Sequence, residues 1–195
     1  MLQIVLIRPG STDYDQQERI QGTLDVPLNE HGRREVAQLI EQLGGNGIES
    51  IHAPVHQPAQ ETGRAIAKAL GIKFKKLDKM QNLNLGLWQG MLVKDVRTKQ
   101  PKVYRQWQEN PESVCPPEGE MLAEARRRAR LGISKLLKRH KGGTIGLVLP
   151  EPLASIVRHL IQQDELGDLW KKTNGQARWE ILEVNTPEVL ANCSS

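Results

Sequence analysis

Phenylalanine occurs once, tyrosine twice and cysteine twice in this 195-residue chain, and it contains no long uncharged apolar run. Cys115, in a proline-rich stretch, and Cys193, in the tail, make neither a disulfide framework nor a metal spacing, so both are expected as free thiols. Without a run of about 18 apolar residues, no membrane-spanning helix is expected. Met1-Leu2-Gln3-Ile4 runs straight into a strand with no basic segment or cleavage site, which argues against a signal peptide and for a cytoplasmic location. The net charge of +4 is concentrated in Arg126-Arg127-Arg128-Ala129-Arg130 and in Lys135 to Lys141. No aromatic residues interleave with these runs and no recognition motif accompanies them, so they read as a solvated helix face and argue against a nucleic-acid partner. The competing reading is a polyanion-binding module through the Arg126–Arg130 helix.

The 38% hydrophobic content and 26% charge are those of a globular protein. One domain over residues 1–195 is long enough to bury a core unaided. Gln3-Ile4-Val5-Leu6-Ile7 is nearly all apolar and β-branched, the pattern of a central strand covered on both faces. Asn29 is placed to cap a helix carrying Val36, Leu39, Ile40 and Leu43, which Gly44-Gly45 stops. Ile48 to Ala53 reads as a second strand, and Pro58 opens a helix with Ala65, Ile66, Ala69 and Leu70 on one face. Ile72-Lys73-Phe74 is a third strand. An irregular insertion follows from about 77 to 119, in which Trp88, Tyr104 and Trp107 either line a groove or join the core. A helix over 121–140, strands at 145–149 and 179–184 and a helix containing Ile156 to Ile161 complete an alternating order. That order implies a three-layer α/β/α sandwich with a mostly parallel sheet and ligands at the carboxyl ends of its strands.

At the end of the first strand, Leu6-Ile7-Arg8-Pro9-Gly10-Ser11-Thr12 differs in one residue from L-I-R-H-G-S-T, the signature of the histidine phosphatase (phosphoglycerate mutase) superfamily, which it resembles. Gln21-Gly22, Asp25, Pro27-Leu28, His52-Ala53-Pro54-Val55 with Gln60, Gly86-Leu87-Trp88-Gln89-Gly90, Pro117-Glu118-Gly119-Glu120 and Val148-Leu149-Pro150 with Arg158 also resemble that family's motifs, in order. The resemblance implies the phosphoglycerate mutase-like fold. It also places the family's nucleophilic histidine on Pro9, its second histidine on Pro150, an arginine on Gln57 and the proton-donating acid on Asn82.

An acylated tertiary amide nitrogen can neither attack phosphorus nor titrate, and a carboxamide cannot deliver a proton. Losing the nucleophile of a concerted site costs about a million-fold in rate. The expectation at this point is a pseudoenzyme, with no catalytic residues, that binds a small phosphate or carboxylate anion, or a protein partner, in a remodelled pocket. Its ligand-binding residues would be Arg8, Gly10, Ser11, Thr12, Gln57, Asn82 and Glu151. Glu151 is also readable as a helix first-turn acid. The alternative is an active phosphatase or mutase-like enzyme with His52 or His56 as nucleophile and Glu118 or Glu120 as acid. His52 and His56 lack a nearby third ligand, so no metal and no cofactor is expected.

Overall fold

A computed structural model describes residues 1–163, 166, 169, 178–187, 189 and 190. Five strands form one sheet: β1 (Leu2–Ile7), β2 (Ile48–Pro54), β3 (Lys73–Leu77), β4 (Gly143–Val148) and β5 (Trp179–Val184), in the spatial order β3-β2-β4-β1-β5. The first four are mutually parallel and β5 runs antiparallel along the outer edge of β1. This is the expected α/β sandwich.

Alternation along β1 feeds two cores. Leu2, Ile4 and Leu6 join Leu122, Ala125, Ala129 and Ile133 of α6 (Leu122–Arg139) and Ile156 and Val157 of α7 (Leu153–Gln162). Val5 and Ile7 face the other way, into Leu39 and Leu43 of α2 (Glu30–Leu43) and Ile66 of α3 (Gln57–Leu70). A strand so covered must be apolar at successive positions, which is why its sequence alternates so little. Among the described residues no helix is long and apolar enough to cross a membrane.

The insertion is more regular than its sequence suggests. It contains α4 (Val93–Lys99) and α5 (Pro101–Glu109), each short and bounded by Gln or Pro. Trp88 and Trp107 are fully buried and meet edge to face at 5.7 Å between ring centres. They therefore anchor the insertion to the α6 core and line no groove. Cys115 is exposed and free, and Cys193 lies outside the described residues.

Two glycines set how the chain leaves β1. Asn29 caps α2 by accepting from the Gly32 amide at 2.8 Å, and the Asn29 amide donates to the Ser11 carbonyl at 3.1 Å. The first turn of α2 is thereby pressed onto the loop. A Cβ on Gly32 would collide with the Ser11 backbone, and one on Gly10 with the Gly32 carbonyl. Gly32→Ala is expected to destabilise the fold by about 1–3 kcal/mol, because overpacking outweighs the gain in helix propensity. A urea midpoint equal to the parent's, at equal slope, would contradict that packing.

Candidate functional site

The carboxyl ends of β1 and β4 lie side by side and open into a cleft of about 1030 Å³. The strand ends deliver Arg8 to Thr12 and Pro150 to Pro152 to its walls, α7 adds Ser155 and Arg158, and α2 adds His31. Pro9, Asn82 and Pro150 meet there, as their motif positions imply.

The donors of the Arg8 loop are already engaged. Arg8 donates from Nε to Glu151 at 2.9 Å and from Nη1 to Glu180 at 2.7 Å. Burial works against its charge, but the two carboxylates outweigh this and raise its pKa. The Gly10 amide donates to Thr62 Oγ1 at 3.1 Å, the Ser11 amide to Glu35 at 2.8 Å and the Thr12 amide to Asp15 at 2.7 Å. An incoming anion therefore has to displace side-chain oxygens of the chain itself. Glu151 serves both expected roles: it lines the cleft, and it accepts from the Ser155 amide at 3.1 Å and hydroxyl at 2.8 Å in the first turn of α7.

Two expected ligand residues are placed otherwise. Gln57 is exposed, donates to Glu61 on the next turn at 2.9 Å and does not line the cleft. Asn82 is buried with its carboxamide saturated: Nδ2 donates to the Gly22 and Glu151 carbonyls at 2.9 Å each, and Oδ1 accepts from the Leu153 amide at 3.2 Å. It is a clip between three segments. Asn82→Ala should cost about 1–3 kcal/mol, because the Leu153 amide loses its acceptor in a buried place; unchanged thermal unfolding would count against this.

The four alternative catalytic residues are also separated. His52 is on β2, and a strand side chain points to a sheet face, not past the strand end. It meets Ser50 Oγ at 2.9 Å and the edge of His140 at 5.1 Å, and lines neither the cleft nor its side pocket. Glu118 is exposed on a turn and also lines neither. His56 and Glu120 share a side pocket of about 400 Å³ with Asn82 and Arg128. Glu120 is tied to Arg128 and to the Asn84 amide. His56 is 4% exposed, and neither ring nitrogen reaches solvent or a hydrogen bond of good geometry. Burial lowers its pKa against the opposing pull of Asp25, the Leu24 carbonyl and Asp15. In this arrangement it cannot touch a substrate. Among the described residues no three His, Cys, Asp or Glu side chains come together as metal ligands.

A cluster at the cleft mouth has no counterpart among the residues expected from the sequence. His31 Nε2 lies 3.2 Å from Glu35, one helical turn away. Glu35 also ion-pairs with Arg178, which donates to the Pro9 carbonyl at 2.6 Å and to the Ser11 hydroxyl at 2.9 Å. Burial opposes the charge of Glu35, but the Ser11 donors and Arg178 prevail and hold its carboxyl below the usual range. The His-x-x-x-Glu spacing behind the Asn29 cap is a visible signal for the first pair. Nothing local marks Arg178.

The profile of the histidine phosphatase superfamily (branch 1) matches residues 4–190, and the chain belongs to that family. It is 30% identical over 185 residues to phosphoserine phosphatase 1 of Hydrogenobacter thermophilus, covering 94% of this chain and 87% of that protein. It is 29% identical over 138 residues to a probable phosphoglycerate mutase of Yersinia enterocolitica, covering 71% of this chain but only 64% of that one. The fold matches that of a mycobacterial glucosyl-3-phosphoglycerate phosphatase solved with vanadate, with a TM-score of 0.81, 23% identity and coverage of 93% and 90%. The pseudoenzyme expectation is overturned here: relatives named as a phosphatase and a mutase favour the alternative of an active phosphate-ester enzyme.

His52 has a consequence for stability. Burial, helped by His140 and Lys75, lowers its pKa from 6.5 to about 4. The unfolded chain thus binds a proton that the folded one refuses between these values. The stabilisation from keeping His52 neutral is complete above pH 6.5, is lost progressively as pH falls to about 4, and amounts to roughly 3 kcal/mol. His52→Asn should flatten the fall of unfolding free energy over that window, measured by urea melts at stepped pH. An unchanged slope would refute the assignment.

Proposed function

We propose that this chain is a phosphomonoester hydrolase acting on small phosphorylated metabolites, with phosphoserine the first substrate to try. The observation that carries the reading is the convergence of Arg8, Arg19, Arg158 and Arg178 on one cleft at the carboxyl ends of β1 and β4. Guanidinium forks suit phosphate oxygens, and at Arg8 a phosphate displaces two carboxylates, Glu151 and Glu180. Substrate choice draws support from the name of the Hydrogenobacter relative. A cytoplasmic location and anion binding at Arg8 belong to the same proposal.

Pro9 carries no nucleophilic nitrogen, so the proposed reaction is direct attack of water on phosphorus, without a phosphoenzyme. The arginines spread the developing charge, which is where most phosphoryl-transfer catalysis resides.

The test is phosphate release from phosphoserine, phosphoglycerates and p-nitrophenyl phosphate between pH 4 and 9, by the parent and by Arg158→Ala. Turnover is expected in the parent, with a loss of about a hundred-fold or more in the variant. Equal rates would indicate a contaminating phosphatase, and either that result or no release by the parent would overturn the reading. Alkaline-quenched protein incubated with ³²P-labelled substrate should carry no covalent label.

A further inference from the structure

We infer that His31, oriented by Glu35, is the group that takes the proton from the attacking water in this cleft; the inference rests on the proposed hydrolase reading and supplies the base that it lacks. Three observations lead to it. First, among the histidines that line the cleft, His56 has both ring nitrogens sealed from solvent, whereas the His31 side chain is 52% exposed. Second, Nε2 of His31 lies in ion-pair contact with Glu35 at 3.2 Å, and His31 lines the cleft, with no other contact to its ring among the described residues. A carboxylate behind an imidazole fixes its orientation and stabilises the imidazolium that forms on proton transfer. Third, Glu35 does not depend on His31 for its own place. It is held by the Ser11 amide and by Arg178, whose guanidinium also reaches the Ser11 hydroxyl and the Pro9 carbonyl.

The dyad is therefore anchored to the same loop that carries Arg8. Gly32, by letting the α2 backbone touch Ser11, is what brings the residue on its N-terminal side to the cleft mouth. The charged groups near His31 are Glu30, Arg34 and Glu35 on its own helix, Arg178 ahead of β5, paired with Glu35, and Asp13 of the short helix α1 (Asp13–Gln16), bonded to the Asn29 cap.

In the proposed step the water oxygen bonds to phosphorus as the ester P–O bond breaks. The water proton passes to His31 and is returned to the leaving alkoxide oxygen, directly or through solvent. The products are the free alcohol and inorganic phosphate, and Glu35 stays ionised throughout.

The experiment compares the parent with His31→Gln and His31→Ala on phosphoserine and p-nitrophenyl phosphate across pH 4 to 9, with and without added imidazole. His31 is exposed and its ion pair contributes little to stability, so both variants should unfold at the parent's temperature. The expected result is a loss of kcat of a hundred- to ten-thousand-fold and loss of the acid limb of the pH profile. KM should be nearly unchanged, and imidazole should restore part of the His31→Ala rate. An active parent whose His31 variants keep their rate and pH profile would overturn this inference and leave the hydrolase reading standing. A parent inactive on every ester would overturn both.

Discussion

The backbone contact between Gly32 and Ser11 is the constraint on which the cleft depends. Two chains can touch in that way only where neither carries a Cβ between them. The contact fixes the start of α2 against the loop that leaves β1, and so decides which side chains reach the phosphate-sized space beyond the strand ends. Glu35 reaches the Ser11 amide because of it, and Arg178 then finds a partner for each end of its guanidinium. A loop whose backbone donors would be open in isolation is instead satisfied from within.

That internal satisfaction changes what a ligand must do. The bare loop would gain full hydrogen bonds to an incoming phosphate, but here each gained bond replaces one to a carboxylate or hydroxyl of the protein, so the net return per bond is small. Arg8 already faces two carboxylates, so an anion arriving there meets an equal opposing charge, and any gain has to come from the other arginines of the cleft.

The fold was legible because its signals are local. β1 and β4 are short apolar runs, α2 and α3 show helical spacing, and Asn29 and Pro58 mark helix starts that the structure places where the residue types require them. The helices of the insertion were not legible, since their stretches are short and rich in Gln, Lys and Pro, and the buried tryptophans that hold them act at a distance. At the site, the family-like motifs put Pro9, Asn82 and Pro150 at corresponding positions, and these three line one cleft with Arg8 and Glu151. The motifs did not separate His52 from His56, because strand parity turns one to a sheet face while the next turn of chain carries the other to the wall of the cleft. Partners 24 to 172 residues away along the chain, such as Glu35 for Ser11 and Glu180 for Arg8, leave no trace in local spacing.

Asn82 carries a consequence for the order of assembly. Its three hydrogen bonds join segments 60, 69 and 71 residues apart along the chain. Closing loops of that length is entropically costly until the intervening elements have docked. The clip can therefore shut only when the segments around Gly22, Asn82 and Glu151 to Leu153 have come together, and its opening frees polar groups in all three at once.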